Sequence, residues 1–327
     1  LLYENNTAIE TPLTNADGST FHISHGMADQ AIRWLDNWKG LRDAPFFMYY
    51  TPGAVHGPIQ VPEEWRDKYK GQFEEGWHVY RAQQLERQKA LGLVPEGAPM
   101  KRMETTSDWD ALSVEQQRYE DKRMAVYAGM VDAMDHHIGR LLQYLKRIGE
   151  YENTVIIFTS DNGPEAADPS GTSRLWPLVR TTLGYNSDYE TLGERQSYNT
   201  IGSSFASAAA SPLGHYKFHA GDGGIRVPMI MAGPALAKQH RGKITHSRAF
   251  VKDLAPTILA LAGTQHPGTA YQGRTIEPMT GHNLLPLIKA ETDTVYQAED
   301  IIAYEIGGNA ALIKGDYKIL INRGGAN

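Results

Sequence analysis

Apolar residues recur every three or four positions in two stretches, residues 25–39 and 113–148, which is the period of an amphipathic helix. The second stretch also carries the end signals of a helix. Ser113 and Gln116 have the spacing of a capping box, and Gly149 follows the last apolar position as a C-terminal glycine would. The pattern therefore predicts two helices that each turn one face toward a core.

Short apolar runs bounded by proline, glycine or polar residues predict strands at residues 44–52, 154–160 and 227–233. The run "VIIF" at 155–158 is unbroken rather than alternating, which suits a strand covered on both faces, as in a mostly parallel sheet. A further helix is predicted over residues 249–263. This order of strands and helices predicts an α/β sandwich with a mostly parallel central sheet between helices.

The pattern changes after residue 290. Residues 289–300 are polar and acidic and resemble a linker, and two strands around Gly315 and Asp316 then read as a hairpin. We therefore expect residues 1–290 to form an α/β domain, and residues 291–327 to begin a smaller antiparallel subdomain.

Composition narrows the classes of partner and site. Of the 327 residues, 41% are hydrophobic and 21% are charged, which is typical of a globular protein. The formal net charge of -6 does not suit nucleic acid or an anionic membrane, and no apolar run approaches the ~20 residues of a membrane helix. The absence of cysteine excludes disulfides, thiolate metal sites and a cysteine nucleophile from these residues. Composition does not decide the cellular compartment, because a chain without cysteine suits the cytoplasm and the periplasm alike.

Asp161 and Asn162 follow the predicted strand at 154–160 directly. Carboxylate and amide oxygens are hard ligands that suit Ca²⁺ or Mg²⁺, and ligands of α/β sheets collect beyond the carboxyl ends of the strands. The residues alone leave a second interpretation open, since Asp and Asn also favour turns. Two ligands do not complete a site for a cation that takes six or more oxygens.

Two further loops carry candidate chemistry. His56 follows the predicted strand at 44–52 and could donate a proton to a leaving group, or could simply bond to backbone. Lys217 lies in "GHYKFHAGDGGIRVP", where glycines could let the backbone approach a ligand and a fixed cation could clamp an anionic ester. The alternative is a solvated basic loop before a strand.

Two other groups of residues can be explained without a functional role. Asp132 and His136 are spaced i, i+4 like a metal pair, but the apolar stripe of the 113–148 helix runs through them, so we expect a structural role. The segment 163–216 is long and irregular. Its aromatic side chains could shape a pocket or could simply be surface: Trp176, Tyr185, Tyr189, Tyr198 and Phe205.

Five segments in order resemble the arylsulfatase family of the alkaline phosphatase superfamily. They are "APFFMYYTPGAVHGP" with "VPEEWRDKYKG", "DHHIGRLLQYLKRIGEYE", "NTVIIFTSDNG", "SPLGHYKFHAGDGGIRVP", and "DLAPTILALAG" with "GRTIEPMTGHNLLPLI". No single motif is decisive, but their order over most of the chain is specific. Asp222 is a departure, because many members of the family carry Glu before "GGIRVP".

The resemblance implies a sulfuric ester hydrolase with an alkaline-phosphatase-like sandwich, acting on a small-molecule or sugar sulfate ester. It implies that Asp161 and Asn162 bind a divalent cation, usually Ca²⁺, with Mg²⁺ as an alternative. It implies that His56 contacts the sulfate and protonates the departing oxygen, and that Lys217 clamps the sulfate. The Asp132–His136 helix is a packing helix in that family.

The resemblance also implies a formylglycine nucleophile, made from the first residue of a Cys/Ser-x-Pro-x-Arg motif. The chain contains no such motif, and "DPSGTSR" at 168–174 has the wrong spacing. We therefore expect the nucleophile to lie outside these residues and the chain alone to be inactive. Two rivals remain open: a phosphonate monoester or phosphodiester hydrolase of the same superfamily, and a non-catalytic fragment or binding protein.

Overall fold

The computed structural model describes residues 2–41, 44–101, 103, 105–168 and 176–321. Contacts divide the chain into two compact units. The first unit comprises Leu1–Gln84, Arg102–Glu150 and Glu165–Ser211, and the second comprises Leu85–Lys101, Tyr151–Pro164 and Pro212–Asn327.

The described residues form α-helices, short 3-10 helices and short strands. The α-helices are α1 (Ile23–Trp38), α2 (Glu63–Arg66), α3 (Gly76–Ala90), α4 (Val114–Arg147), α5 (Trp176–Leu183), α6 (Gly202–Ala209), α7 (Asp222–Ile225), α8 (Leu254–Leu261) and α9 (Leu285–Ile288). Short 3-10 helices lie at Lys39–Leu41, Tyr151–Asn153, Tyr189–Thr191, Lys238–His240 and Val251–Asp253. The strands are β1 (Leu2–Glu4), β2 (Thr7–Ile9), β3 (Ile156–Thr159), β4 (Met229–Ala232), β5 (Ala270–Tyr271), β6 (Arg274–Thr275), β7 (Ile301–Ile306), β8 (Asn309–Lys314) and β9 (Tyr317–Ile321). Among these residues no helix is both long enough and apolar enough to span a bilayer.

The capped helix predicted at 113–148 is confirmed as α4. The Ser113 hydroxyl accepts the backbone N–H of Gln116 at 3.3 Å, and the Gln116 side chain accepts the backbone N–H of Ser113 at 2.8 Å. Gly149 ends the helix at φ 80°, a left-handed conformation that glycine adopts without strain. The helix predicted at 25–39 is confirmed as α1, which packs on α4 in the first unit.

The core of the first unit is an aromatic cluster. The rings of Trp77, Trp109 and Phe73 meet Phe205 edge to face, and Phe205 is fully buried. Edge-to-face pairs add about 0.5–1.5 kcal/mol beyond the apolar area they bury. Phe205, predicted as a candidate pocket wall, is therefore a core residue here.

In the second unit, the strand predicted at 154–160 is confirmed as β3, which pairs antiparallel with β4. The sequence predicts parallel neighbours for β3. Within the described part of the chain, β3 pairs only with β4, and that pairing is antiparallel. In the first unit, the strand predicted at 44–52 is wrong for the described backbone: Phe47 and Tyr49 are exposed and no strand forms there. A strand exists only as part of a ladder, and no described strand pairs with this apolar run.

The hairpin predicted near the end of the chain is confirmed. Strands β8 and β9 pair across the two-residue turn Gly315–Asp316, and β7 completes a three-stranded antiparallel sheet. One face of this sheet bonds to the loop before α7: the Tyr304 hydroxyl donates to Ala220 O at 2.9 Å, and Asn309 donates to Phe218 O at 2.8 Å. The domain boundary at residue 290 stays a prediction.

The predicted linker at 289–300 is tied to the body of the second unit through a buried carboxylate. Asp253 is fully buried and accepts the backbone N–H groups of Phe250 at 2.7 Å and His282 at 2.8 Å. The Tyr296 hydroxyl donates to the same carboxylate at 2.8 Å. Three donors on one buried carboxylate satisfy it, as burial of a charge requires.

A second packed cluster joins α1 and α4 in the first unit. The His137 ring lies 4.8 Å from that of His25, and Arg140 donates to Nδ1 of His137 at 3.2 Å and to Asp29 at 2.5 Å. Burial, followed by the positive charges of His25 and Arg140, lowers the pKa of His137 to about 4. The ring is therefore held neutral, with Nδ1 accepting.

His137 should make the protein acid-sensitive. Its pKa is about 4 in the fold against an ordinary value near 6.5, so the unfolded chain binds the proton first as the pH falls. The free energy of unfolding should drop by up to about 3 kcal/mol as the pH falls from about 6.5 to 4. Urea unfolding across this range should give a flatter profile for His137→Gln. The exposed His78→Gln controls for loss of a histidine as such, and equal slopes for wild type and His137→Gln would refute the account.

Candidate functional site

The end of β3 carries Asp161 and Asn162 in a tight turn. Asp161 is exposed, and its Oδ1 accepts the backbone N–H of Asn162 at 3.0 Å. The Asn162 amide nitrogen donates to Gly163 O at 2.9 Å, which orients the side chain, and the Ser160 hydroxyl donates to Asn162 O at 2.9 Å. Both side chains are thus fixed at the carboxyl end of a strand, where sequence predicts them.

Gly163 joins this turn to α7. Its N–H donates to Gly224 O at 2.8 Å, and a Cβ at position 163 would lie 1.8 Å from Gly223 O. No side chain fits at such a distance, so only glycine permits this contact.

The loop that carries Lys217 folds back on the same turn. Lys217 N–H donates to Pro164 O at 3.1 Å, and Gly223 N–H donates to Gly214 O at 2.7 Å. A Cβ on Gly223 would lie 2.1 Å from His215 O. The glycines of this loop therefore let backbone approach backbone, and the approach of a ligand to this loop stays a prediction. The loop is bonded directly to the segment that bears Asp161 and Asn162.

Other polar residues of this loop have structural partners. Asp222 accepts from Lys318 of β9 at 2.5 Å, which anchors the start of α7. His219 is buried and stacks on His215 at 4.9 Å. The Lys217 ammonium lies 5.2 Å from the centre of the Phe218 ring.

His56 belongs to the first unit and is exposed. Its Nδ1 lies 2.8 Å from Gly57 O, and its Nε2 lies 3.7 Å from Oε2 of Glu165. Sequence reasoning missed Glu165. It follows Asn162 closely in the chain, but nothing in the spacing of residues predicts a contact with His56.

Among the described residues, no group of three or more His, Cys, Asp or Glu side chains is arranged to hold a metal ion. Asp161 and Asn162 are hard oxygen donors of the type that Ca²⁺ takes, so they fit such a cation but supply only part of its ligands. The Asp132–His136 pair has other contacts: Asp132 accepts from Lys68 and from the Tyr69 hydroxyl, and the His136 ring lies 5.2 Å from that of Trp65. These contacts agree with a packing role for that helix.

The four other candidate pocket residues separate into two groups in the first unit, Trp176, Tyr185 and Tyr198 in one and Tyr189 in the other. Tyr198 contacts Trp176 and Tyr185 edge to face, at 5.8 and 5.4 Å between ring centres. Tyr189 instead lies under the Lys122 ammonium, 4.6 Å from it.

The Sulfatase family model matches residues 2–264 of the chain, which is most of its length. The chain belongs to the sulfatase family. It is 35% identical over 315 residues to an uncharacterized sulfatase of Schizosaccharomyces pombe, covering 94% of this chain and 55% of that protein. It is 33% identical over 276 residues to the arylsulfatase of Klebsiella aerogenes, covering 83% of this chain and 57% of that protein.

The fold agrees with this membership. The solved structure of BT4656 in complex with its substrate D-glucosamine-2-N,6-O-disulfate matches with a TM-score of 0.50 and 18% identity, covering 92% of this chain and 61% of that one. The sulfatase chain has an alkaline-phosphatase-like α/β fold with a small antiparallel sheet, β7–β9, near its end. It spans about half the length of the curated relatives it matches.

The contact at Gly163 should contribute to the stability of the protein. Gly163→Ala forces a Cβ into Gly223 O, so we expect the free energy of unfolding to fall by about 1–3 kcal/mol, the usual cost of overpacking. Gly97→Ala is the matched control in the same unit, since a Cβ there meets nothing within 4 Å. Urea unfolding of both variants tests this, and equal stability of the two would contradict it.

Proposed function

We propose that the protein is an arylsulfatase-like sulfuric ester hydrolase, which converts a sulfate monoester to an alcohol or phenol and inorganic sulfate. One observation carries the proposal beyond family membership. The loop that carries Lys217, residues 214–224 (the lysine loop), bonds through Lys217 N–H to Pro164 O, directly beside the turn that bears Asp161 and Asn162. The Lys217, Asp161 and Asn162 side chains are therefore attached to one hydrogen-bonded backbone assembly. This supports binding of an anionic sulfate ester, which needs positive charge held in a fixed position.

Asp161 and Asn162 would hold a divalent cation, Ca²⁺ with Mg²⁺ as the alternative. When bound, such a cation supplies positive charge that polarises the sulfate and stabilises negative charge on its oxygens. Because Asp161 is exposed at the strand end, its carboxylate is accessible to a cation from solvent. The ligands that complete the shell would come from other parts of the protein.

Lys217 would bind a sulfate oxygen, and His56 would donate a proton to the ester oxygen as it departs. Charge stabilisation at the sulfate oxygens carries much of the barrier reduction for such an ester. Proton donation to the leaving group contributes about 10²–10⁴-fold to the rate. The His56 role rests on the resemblance described above.

The nucleophile is proposed to be a formylglycine outside residues 1–327, since these residues contain neither cysteine nor a Ser-x-Pro-x-Arg motif. We then expect residues 1–327 by themselves not to hydrolyse a sulfate ester. The substrate class is a sulfate ester of an aryl or sugar compound. The arylsulfatase name of the Klebsiella relative and the glucosamine disulfate bound to BT4656 support these two classes.

The proposal is tested with the full-length gene product and 4-nitrophenyl sulfate, with 4-nitrophenyl phosphate and a phosphonate monoester as competing substrate classes. Asp161→Ala and Lys217→Ala should each lower kcat/KM for the sulfate by about 10²–10³-fold, as removal of one stabilising group does at comparable sites. The exposed Lys243→Ala in the same unit is the control for loss of a lysine.

Three outcomes would contradict the proposal. Wild-type rates in both variants would remove these residues from the site. Preferential turnover of the phosphate or phosphonate ester would point to the rival hydrolase class. Cleavage of no ester by the full-length protein would favour a binding role.

A further inference from the structure

The backbone on either side of Lys217 has an unusual conformation. His215 and Phe218 have φ of 70° and 71°, in the left-handed region that favours glycine. A residue with a Cβ enters this region at a cost in conformational energy, and it stays there where its surroundings hold it. The two residues therefore mark the lysine loop as a segment whose shape depends on its contacts.

Asn309 supplies such a contact at Phe218. Its amide nitrogen donates to Phe218 O at 2.8 Å, and Asn309 is only 6% exposed. The Phe218 ring is 56% exposed, so burial of the ring contributes little to holding this residue in place. The hydrogen bond from Asn309 therefore gives the Phe218 backbone a support that its own side chain does not.

The position of Asn309 is fixed by the small sheet. Asn309 is the first residue of β8 and pairs with Ile306, the last residue of β7. The two residues between them, Gly307 and Gly308, have φ of 59° and 88°, as a tight two-residue hairpin turn requires. The donor thus comes from a regular element, which holds a side chain more precisely than a loop does.

Hydrogen bonds hold the chain at Lys217 and at the residue that follows it. Lys217 N–H donates to Pro164 O at 3.1 Å, and the carbonyl oxygen of Phe218 accepts from Asn309. The Lys217 ammonium lies 5.2 Å from the centre of the Phe218 ring, so the direction of that ring also bears on the lysine side chain. All of these groups belong to the second unit.

We propose that Asn309 is a positioning residue for sulfate binding, which holds Phe218 in its left-handed conformation and thereby fixes the Lys217 side chain. This inference rests on the proposed function, in which Lys217 binds a sulfate oxygen. Asn309 acts through the backbone of the lysine loop and does not itself bind the ester.

The test measures two quantities on the full-length gene product: kcat/KM for 4-nitrophenyl sulfate and the inhibition constant of inorganic sulfate. Asn309→Ala removes the donor, so a smaller fraction of molecules holds Lys217 in place. We expect kcat/KM to fall and the inhibition constant to rise, each by about 3–10-fold, which is the range over which one hydrogen bond shifts a local equilibrium. Asn309→Leu fills the same space without the donor and should behave alike.

Thr257→Val is the matched control for loss of a buried hydrogen bond in the same unit. Thr257 is fully buried, and its hydroxyl donates to Asp253 O at 2.6 Å and accepts Leu284 N–H at 2.8 Å, both outside the lysine loop. This variant should lower the free energy of unfolding, as Asn309→Ala does, and leave both constants unchanged. Unchanged constants in Asn309→Ala and Asn309→Leu would give Asn309 a purely structural role and overturn the proposal.

A second substitution tests whether Asn309 acts through Phe218. Asn enters the left-handed region more readily than Phe does, so Phe218→Asn added to Asn309→Ala should recover part of the lost sulfate affinity. Phe218→Asn alone is the reference for this comparison. Absence of any recovery would contradict the proposed route through Phe218.

A measurement without turnover separates this inference from the proposed function. The amide hydrogen of Lys217, which bonds to Pro164 O, should exchange with solvent faster in Asn309→Ala than in the wild type or in Thr257→Val. Equal exchange rates would refute the inference even in an active sulfatase. If the wild type cleaves no sulfate ester, the proposed function fails, while the exchange rate still reports whether Asn309 holds Lys217.

Discussion

The contact between Gly163 and Gly223–Gly224 is the constraint on which the candidate site depends. The two backbone segments approach so closely that a Cβ on Gly163 would lie 1.8 Å from Gly223 O, and a hydrogen bond from Gly163 N–H to Gly224 O joins them. Because the turn with Asp161 and Asn162 lies immediately before Gly163, the contact constrains the position of these two candidate residues. The backbone bond from Lys217 to Pro164 extends the same assembly on its other side.

The β7–β9 sheet bonds to this backbone assembly at the loop that carries Lys217. Tyr304 and Asn309 bond to carbonyl groups of the lysine loop, and Lys318 pairs with Asp222 at the start of α7. The β7–β9 sheet therefore helps to fix the loop that carries Lys217. This arrangement fits the general requirement that reacting groups be held by neighbours whose own positions are fixed.

Sequence patterns predicted those features that depend on local chemistry. The capping box at Ser113, the glycine at 149 and the two-residue hairpin turn each require particular residues at fixed spacing, and all three are confirmed. The strand expected at 44–52 is wrong because a strand needs partners, and partners cannot be read from the run itself. The contact between Glu165 and His56 could not be predicted from the sequence either, because it depends on how loops that are distant in the chain fold within the first unit.

The glycines near Lys217 show a second limit of prediction from sequence. A glycine-rich segment indicates that backbone comes close to something, but the sequence alone does not say whether that is a ligand or another part of the chain. Here the close neighbours of Gly163 and Gly223 are carbonyl oxygens of the protein itself. The proposed ligand-binding residues of this region are Asp161, Asn162 and Lys217, and their assignment as site residues stays a prediction.

The central claim is that these three side chains converge on one cation-bound sulfate. The most direct measurement is a crystal structure of the full-length gene product grown with Ca²⁺ and inorganic sulfate. The account predicts a calcium ion about 2.3–2.6 Å from side-chain oxygens of Asp161 and Asn162, with the sulfate on the ion and the Lys217 ammonium at a sulfate oxygen. A calcium ion bound elsewhere, or a sulfate that Lys217 does not contact, would contradict it.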